Sequence, residues 1–382
     1  MDAVATAQIS REEFPILQHG LYANHAAIAP WPRLTSEAVI RFAEENCQQG
    51  PEKYPRWLLQ ETRLRKRLAT LINAASADDI ALLKNTTEGI CTIANGIDWH
   101  KGDNIVLPLD EFPSNRLPWL ALRDSGVEVR EVDIRSASDP EQALLARMDK
   151  HTRLLSVSAV QWIDGLRLRL ETLGAACRHN EVLFFVDAIQ HLGALQMDVQ
   201  ACNIDFLAAD GHKWLLAPEG IAVLYCHKDI RSRLRLRQHG WRMVDESYQF
   251  DRAHWQPSES AIRFEAGSPN ILGQTALYAS VGLLQQVGMQ RVEAGIAENS
   301  LTLSKGLTDI AGVELLREFD PQSFSGIVCF RTPQRELAEI HRAFKKSHLT
   351  CALRGDAIRL SPHFYQAGRP IDDILDLIEH IV

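Results

Sequence analysis

Between residues 78 and 226, the sequence alternates short apolar runs with longer segments of helical character. Continuous apolar strands that alternate with helices are typical of a mostly parallel sheet covered by helices on both faces. The alternation therefore predicts an α/β fold. The expected strands are 104–108, 153–157, 182–186, 205–208 and 221–225, and two of the expected helices are 141–149 and 170–180.

The chain after about residue 290 has a different pattern. Residues 291–310 have the apolar spacing of a long amphipathic helix. A strand-like "SGIVCFR", a helix around 336–346 and a last strand near "AIRLS" follow. A chain of 382 residues is longer than one hydrophobic core usually serves. We predict a large α/β domain over residues 20–288 and a smaller α+β domain over residues 289–382, on which residues 1–19 pack.

Composition excludes several classes of protein. With 41 basic and 49 acidic side chains, the net charge is −8, and no clustered basic surface predicts a nucleic-acid partner. The sequence has neither an apolar stretch that could cross a membrane nor the basic and apolar segments of a secretory signal. The seven scattered cysteines form no C-x-x-C motif, so we expect no metal site and no disulfide framework. We predict a reduced, cytoplasmic protein.

The stretch "FFVDAIQHLGALQMDVQACNIDFLAADGHKWLL" places Asp187 and Lys213 at the ends of two strand-like runs. In an open parallel sheet, ligands bind beyond such ends. Taken alone, Asp187 could simply cap a helix, and Lys213 could lie along the surface. Together they match one cofactor, because pyridoxal 5'-phosphate (PLP) has a pyridine nitrogen that pairs with an acid and an aldehyde that reacts with an amine.

Four further polar residues suit the other groups of PLP. Thr86 and Thr87 precede a predicted helix, whose free N–H groups would bind a phosphate together with the two hydroxyls. A simple threonine cap, with Glu88 favouring the helix dipole, is the other interpretation, and the two are compatible. His212 would add a further donor. Gln190 follows Asp187 by three residues, a spacing that returns its amide to the same side of a helix, where the phenolic oxygen would lie.

The chain resembles the class V aminotransferase group of fold-type I PLP enzymes, which includes the cysteine desulfurases. The resemblance spans most of the chain, and the D-x-x-Q and G-H-K motifs at this separation are its most specific part. It implies a mostly parallel, seven-stranded sheet sandwiched by helices, a smaller α+β C-terminal domain, PLP as cofactor and a homodimer with shared active sites. It depends on the motifs "NTTEGI", "FFVDAIQHLGA", "DFLAADGHKWLLAPEGIAVLY", "FEAGSPNILG" and "IRLSPHFY".

The resemblance implies two catalytic residues and a set of cofactor-binding residues. Lys213 would form the bond to PLP and move the proton at the substrate α-carbon, and Asp187 would hold the pyridinium nitrogen. Phe112 would stack on the ring, with an ordinary core position as the alternative. Ser268 matches a residue that reaches the phosphate of the neighbouring subunit. The implied cofactor-binding residues are Thr86, Thr87, Phe112, Asn115, Gln161, Asp187, Gln190, His212, Lys213 and Ser268.

Substrate contacts are implied by two other segments. Arg354 matches the arginine that binds the substrate α-carboxylate, a role for which a planar guanidinium is suited. Arg359 is interpreted as structural. Asn24 and His25, in "YANHAAIAPWP", would face the substrate, although His25 could equally be a surface residue. Gln161 could likewise be no more than a polar residue at a strand end.

The sequence departs from the desulfurase pattern in two places. Desulfurases carry a nucleophilic cysteine just after the carboxylate-binding arginine, whereas residues 355–357 here are Gly-Asp-Ala. Cys351 precedes the arginine and is interpreted as a small buried residue. Asp210 stands where the family often has a serine, and an acid should not face a phosphate directly. The stripe of arginines at 231, 233, 235 and 237 either attracts an acidic substrate or is a solvated face.

We therefore predict a PLP enzyme that acts on a small amino acid through an external aldimine, as an aminotransferase or a C–S lyase without the desulfurase cysteine. The alternatives are a cysteine desulfurase or selenocysteine lyase, an amino-acid epimerase and, from another class, a non-catalytic PLP-binding regulatory protein. The sequence does not choose among these reactions, because all share the cofactor and the carboxylate contact. A nicotinamide dehydrogenase is excluded for want of a G-x-G-x-x-G turn.

Overall fold

The computed structural model describes residues 12–251 and 254–382. Its strands are β1 (Leu21–Tyr22), β2 (Ile80–Leu83), β3 (Asn104–Pro108), β4 (Glu128–Val132), β5 (Thr152–Ser158), β6 (Leu183–Asp187), β7 (Phe206–Asp210), β8 (Ala222–Cys226), β9 (Glu314–Leu315), β10 (Val328–Arg331), β11 (Leu349–Thr350), β12 (Ala352–Arg354) and β13 (Ala357–Leu360). Its α-helices are α1 (Arg33–Gln49), α2 (Tyr54–Leu71), α3 (Thr86–Gly96), α4 (Leu117–Leu120), α5 (Pro140–Leu145), α6 (Leu170–His179), α7 (Lys228–Arg231), α8 (Ile271–Val287), α9 (Met289–Asp309), α10 (Leu337–Lys346) and α11 (Arg369–Ile381).

The large sheet has seven strands in the order β2-β8-β7-β6-β5-β3-β4. Strand β8 runs antiparallel to both of its neighbours, and the other pairs are parallel. The mostly parallel, seven-stranded α/β sheet predicted from the sequence is confirmed. The five expected strands correspond to β3, β5, β6, β7 and β8, each within two residues of its predicted ends.

Both faces of this sheet are buried, which explains why its strands read as unbroken apolar runs. In β6, Phe184 and Val186 join the core on one face, and Phe185 joins the core on the other. Side chains of α2, α6 and α8 cover the first face, and those of α3, α4 and α7 cover the second. None of the helices in the described part of the chain is both long and apolar enough to span a membrane.

The C-terminal elements form a second, antiparallel sheet with the order β12-β13-β10-β9. The predicted amphipathic helix is α9, which follows α8 directly after Gly288. Strand β1 pairs in parallel with β11, and Phe14 stacks on Tyr365 with 3.6 Å between ring centroids. The boundary at 288/289 stays a proposal, and residues 1–11 of the predicted packing segment lie outside the described residues.

A buried ion network connects α2 to the segment that leads to Ser268. Arg65 donates to both carboxylate oxygens of Glu265, at 2.6 and 2.9 Å, and to Glu61 at 2.6 Å. Arg242 also contacts both acids. Buried charges require such mutual pairing, so the network holds the segment at Glu265 against α2.

The arginine stripe is largely engaged in contacts within the protein. Arg231 is buried and paired with Asp79, and Arg235 pairs with Asp98. Arg237 donates to the carbonyl oxygen of Asn95 at 2.8 Å. These three guanidinium groups therefore hold the segment after α7 against the large sheet and its helices.

Close packing in α6 leads to a stability prediction. A Cβ atom at Gly174 would lie 1.7 Å from the carbonyl oxygen of Cys202, a backbone atom that cannot turn away. We expect Gly174→Ala to lower the free energy of unfolding by about 1–3 kcal/mol, as overpacking does. Gly306→Ala in α9 is the matched control, because its Cβ would meet only the flexible end of Leu375. Equal thermal midpoints for the two variants would contradict the prediction.

Candidate active site

Polar residues gather where three neighbouring strands of the large sheet end. Strands β5, β6 and β7 finish at Ser158, Asp187 and Asp210, and Lys213 follows β7 by three residues. Ser158 and Asp187 are direct register partners. Because these strands are parallel, their carboxyl ends meet at one edge of the sheet, where ligands bind in such folds.

Lys213 is 9% exposed. Burial lowers the pKa of its ammonium to about 8, against the opposing effects of Asp187 and Asp210 and with a further lowering by Arg359 and Arg354. A lysine with a lowered pKa has the neutral amine that bond formation to a carbonyl requires. The surface position considered for Lys213 is therefore wrong.

Asp187 both caps a turn and faces the lysine. Its Oδ1 accepts a hydrogen bond from the backbone N–H of Ile189 at 3.0 Å. Burial raises the pKa of this carboxyl to about 6, Lys213 lowers it, and Asp210 raises it further. A buried acid of this kind is stabilised as a carboxylate when a cationic partner approaches, as a pyridinium nitrogen would.

The start of α3 leaves a hydroxyl free beside this edge. The cap is Asn85, whose side chain accepts from the N–H of Glu88 at 2.8 Å. Thr86 is buried, and its Oγ1 has no partner among the described residues. Thr87 Oγ1 donates to Ser114 Oγ at 2.8 Å. A threonine cap is thus wrong here, and the helix start keeps donors for an anion.

Close packing brings α3 to the end of β7. A Cβ atom at Gly89 would lie 3.1 Å from the Cβ of Ala208, which leaves room for no larger residue without a shift. Thr86 is one turn before Gly89, and Asp210 is two residues after Ala208. The first turn of α3 and the end of β7 therefore lie next to each other.

Phe112 stands over the lysine. Its side chain is 40% exposed, so the core position considered for it is wrong, and the ring centroid is 5.6 Å from Lys213 Nζ. Asn115 is buried, and its Oδ1 accepts from Trp119 and Ser156 at 3.1 and 2.7 Å. The structure therefore brings Phe112 to the reactive amine, while its role against a cofactor ring stays a prediction.

The two glutamines at this edge are partly engaged. Gln190 donates from Nε2 to the carbonyl oxygen of Ala26 at 3.0 Å and accepts from Trp214 Nε1 at 3.0 Å. One of its two amide hydrogens is left for the predicted contact with the phenolic oxygen. Gln161 donates to Glu111 at 3.2 Å, and its Oε1 has no partner in the described part of the chain.

His25 is fully buried, so the surface alternative is wrong. Its Nδ1 lies 2.9 Å from the carbonyl oxygen of Ser361, and its Nε2 lies 2.6 Å from the hydroxyl of Tyr365. With both ring nitrogens in use, His25 has none free for a substrate. The neighbouring Asn24 keeps a buried Oδ1 without a partner among the described residues.

Sequence reasoning interpreted Arg359 as structural, but its surroundings suit a ligand contact. It is almost fully buried on β13, and among the described residues no carboxylate pairs with it. Its Nη1 donates to the carbonyl oxygen of Trp162 at 2.7 Å, and its Nε has no partner. Burial and Arg354 lower its pKa to about 10. The sequence signal for a buried Arg359 is an arginine inside the apolar run "AIRLS".

Glu111 is a second residue that the sequence analysis did not identify. It is buried and accepts from the backbone N–H of Ser158 at 2.6 Å, from the Ser158 hydroxyl and from Gln161. Burial raises the pKa of its carboxyl to about 7, and the nearby Asp187 raises it further. Glu111 therefore holds the end of β5 against the loop that carries Phe112.

Ser268 lines a pocket together with Lys84 and Glu88, next to the first turn of α3. It is exposed on the loop that follows Glu265. Cys351 is buried just before β12, and burial raises the pKa of its thiol to about 12. Arg354 pairs with Ala357 across a turn that consists of Gly355 and Asp356.

The edge fits PLP. Buried polar atoms without a partner are costly, so their concentration at one place indicates a ligand. The lysine and Asp187 suit the aldehyde and the pyridine nitrogen, and the start of α3 suits the phosphate. The atoms near this edge that have no protein hydrogen bond in the described residues are Asn24 Oδ1, Thr86 Oγ1, Asn115 Nδ2, Gln161 Oε1, Asp210 Oδ1, His212 Nδ1 and Arg359 Nε.

Comparisons with known proteins agree with this assignment. The family model described as aminotransferase class-V matches residues 57–356. A probable cysteine desulfurase of Methanothermobacter thermautotrophicus is 30% identical over 97% of both chains, and a cysteine desulfurase of Yersinia pestis is 28% identical over 86% of this chain and 84% of its own. The structure of the cystine C–S lyase C-DES with its reaction product cysteine persulfide superimposes with a TM-score of 0.89, at 26% identity over 97% of this chain and 100% of that one.

The lowered pKa of Lys213 leads to a pH prediction. Only the neutral amine reacts with an amine-directed reagent, so a pKa of about 8 places half-maximal modification of the cofactor-free protein near pH 8. Asp187→Asn should move the midpoint lower, because the carboxylate favours the ammonium. Peptide mass mapping of Lys213 across pH measures both, with Lys213→Met as the background. A midpoint near the ordinary lysine pKa of about 10.4 would contradict the prediction.

Proposed function

The chain belongs to the class V aminotransferase family of PLP-dependent enzymes, and we propose that it cleaves the carbon–sulfur bond of a small sulfur-containing amino acid. PLP is its cofactor, and when bound it supplies an electron sink for charge at the substrate α-carbon. The observation that carries the chemistry is Lys213, a buried amine with a lowered pKa, on which the charges of Asp187 and Arg359 both act.

The relatives guide the choice among the predicted reactions. Relatives named as cysteine desulfurases support the cysteine desulfurase alternative better than the aminotransferase prediction. One relative of known structure is a cystine C–S lyase, which also breaks a carbon–sulfur bond. A non-catalytic role loses its support, because the chain is an enzyme of this family. Carbon–sulfur cleavage is the chemistry that the desulfurase and lyase predictions share.

Each residue at the sheet edge has a distinct task in this proposal. Lys213 holds the cofactor and transfers the proton at the substrate α-carbon, because its amine reaches the neutral form near physiological pH. Asp187 keeps the pyridine nitrogen protonated. Thr86, Thr87 and His212 bind the phosphate, and Phe112 covers the ring.

We assign the substrate α-carboxylate to Arg359 with Arg354 beside it. Arg359 has a larger effect on the pKa of Lys213 than Arg354 has, and it is the more deeply buried of the two. A buried guanidinium that has no acidic partner is energetically unfavourable. The α-carboxylate of a substrate would stabilise it through two parallel hydrogen bonds.

The surroundings of Cys351 favour release of sulfur to a small molecule. A thiol with a pKa of about 12 is not a thiolate at neutral pH, and the thiolate is the nucleophile in sulfur chemistry. The turn between Arg354 and Ala357 consists of Gly355 and Asp356 and carries no thiol. We propose that the sulfur leaves with the product or passes directly to an external thiol.

A homodimer with shared sites and a cytoplasmic location are also part of the proposal. Ser268 is exposed and available to a neighbouring subunit. Large apolar side chains that are exposed in the single chain support burial against a second copy. They include Ile28, Trp31, Leu109, Leu117, Phe250, Trp255 and Leu272.

The test is turnover of the PLP-loaded protein with L-cysteine, L-cystine and sulfur-free L-amino acids. We expect sulfide or persulfide from the sulfur compounds, with alanine as co-product for a desulfurase and pyruvate with ammonia for a lyase. The same assay with pyruvate as amino acceptor detects transamination. Release of keto acid with retention of the sulfur in it would overturn the proposal in favour of an aminotransferase.

Arg359→Leu should weaken substrate binding strongly. Leaving a buried carboxylate contact unpaired costs about 2–5 kcal/mol, or roughly 30-fold or more in KM. Arg354→Leu is the matched comparison and should have the smaller effect. The visible absorption of bound PLP shows that each variant keeps its cofactor. A larger rise in KM for Arg354→Leu would return the carboxylate contact to the residue first predicted for it.

Cys351→Ser should leave sulfur release unchanged, because the thiol is buried and protonated. Cys47→Ser, at an exposed cysteine, is the control. Mass spectrometry of the protein after one turnover checks for an added sulfur atom. A persulfide on Cys351, together with loss of turnover in its serine variant, would show that this cysteine is the nucleophile.

A further inference from the structure

Two arginines of the second sheet have no acidic partner. Arg354 ends β12, and Arg359 lies in β13. Within the described residues, neither guanidinium forms an ion pair with a carboxylate. Arg359 Nη1 donates to the carbonyl oxygen of Trp162 at 2.7 Å, and Arg354 Nη1 donates to that of Leu353 at 3.1 Å. A carbonyl group carries no net charge, so both cations are left without a counter-charge.

The strand register places both arginine side chains on the same face of the second sheet. Arg354 is opposite Ala357, and Arg359 follows Ala357 by two residues. Opposite residues of an antiparallel pair share a face, and so do residues two apart in one strand. The two arginines are therefore diagonal neighbours. Their charges act on each other, since Arg354 lowers the pKa of Arg359.

The nearest acid along the chain is engaged with other cations. Asp356 is in the turn that follows Arg354. Its carboxylate oxygens lie 3.8 Å from Arg135 and 3.9 Å from Arg331. This acid therefore balances the charges of two other arginines, and the positive charge of Arg354 stays uncompensated.

The loop that follows β5 connects both arginines to the candidate active site. A Cβ atom at Gly355 would lie 3.7 Å from Ile163 Cδ1, so the turn after β12 rests on this loop. Arg359 is hydrogen-bonded to the same loop. Arg359 and Arg354 each lower the pKa of Lys213. The two guanidinium groups and the reactive amine therefore act at one site.

One α-carboxylate neutralises only one of the two arginines. Arg359 is 2% exposed, and the proposed function assigns the α-carboxylate to it. A guanidinium that binds a carboxylate through two parallel hydrogen bonds uses both of its oxygens. Arg354 is less deeply buried and adjoins the turn, so it lies farther toward solvent. It is left to meet a different part of the substrate.

We propose that the substrate carries a second carboxylate on its sulfur substituent, and that Arg354 binds this group. Arg354 is thus a residue that determines specificity, because it selects an acidic substituent over a neutral one. The inference rests on the proposed carbon–sulfur cleavage for the sulfur atom of the substrate. It rests on the two unpaired arginines for the second anion.

Two ligands that differ in one charge test the proposal. S-carboxymethyl-L-cysteine has a second carboxylate, whereas S-carbamoylmethyl-L-cysteine has a neutral amide of the same shape. The change in the visible absorption of bound PLP on rapid mixing measures the affinity of the PLP-loaded protein for each ligand before any bond is cleaved. We expect the carboxylate ligand to bind roughly tenfold more tightly or better, as a hydrogen bond between charged groups allows.

Variants of Arg354 identify the residue that is responsible. Arg354→Leu should remove the preference, by weakening the carboxylate ligand while the amide ligand binds nearly as before. Arg354→Lys keeps a cation and should keep part of the preference. Arg331→Leu is the matched control, because it removes another partly exposed cation of the same sheet and should preserve the preference. Arg354→Gln replaces the leucine variant if that variant does not retain PLP.

Three results would overturn the proposal. Equal affinities of the two ligands for the unaltered protein would show that there is no site for a second anion. Equal weakening of both ligands by Arg354→Leu would show that Arg354 shares the α-carboxylate with Arg359. Loss of the preference in Arg331→Leu would show that the selectivity comes from the overall charge of this surface.

Failure of this inference and failure of the proposed function give different results. Binding is measured without cleavage, so a protein that keeps the preference and releases no sulfur from any compound contradicts the proposed reaction and leaves the anion site. A protein that releases sulfur from L-cysteine and shows no preference between the two ligands contradicts this inference alone.

Discussion

The burial of one amine is the constraint on which the rest of the site depends. Lys213 lies at the end of a parallel strand with both faces of the sheet covered, so it is removed from water. Desolvation has the largest single effect on its pKa, and the value falls to about 8. Asp187 is destabilised by the same burial. The Lys213 amine and the Asp187 carboxylate would each be stabilised by a partner that removes or balances its charge. PLP offers both partners, an aldehyde and a pyridine nitrogen.

The second constraint is the attachment of the C-terminal sheet to this edge. Trp214, next to the lysine, donates to Gln190, and its carbonyl oxygen lies 3.1 Å from His363 Nε2. Gln190 in turn donates to Ala26 of the N-terminal segment. These bonds hold three distant parts of the chain around the lysine. They explain how Arg359 on β13 and Lys213 after β7 come to lie in the same buried region.

Much of the fold followed from local patterns. Continuous apolar runs such as 104–108 predicted buried parallel strands, because only strands covered on both faces lose the alternation of polar and apolar side chains. The placement of Asp187 and Lys213 at one edge was also predictable, since ends of neighbouring parallel strands meet at the crevice of an open sheet. Contacts made by polar residues were harder to predict. His25 was expected at the substrate and is instead bonded at both ring nitrogens to the C-terminal part.

The sequence by itself determined the parallel sheet and the identities of Asp187 and Lys213 at its edge, because hydrophobic periodicity and strand ends are properties of short segments. Only the tertiary structure decided which groups those residues meet. Arg359 was interpreted as structural from its spacing, and it becomes a candidate for the substrate contact only because β13 places it where its charge acts on the lysine, with no acidic partner among the described residues. Glu111 became a buried acid through contacts with β5. Which side chains from distant parts of the chain contact each other depends on strand order and packing, and no local sequence pattern specifies these.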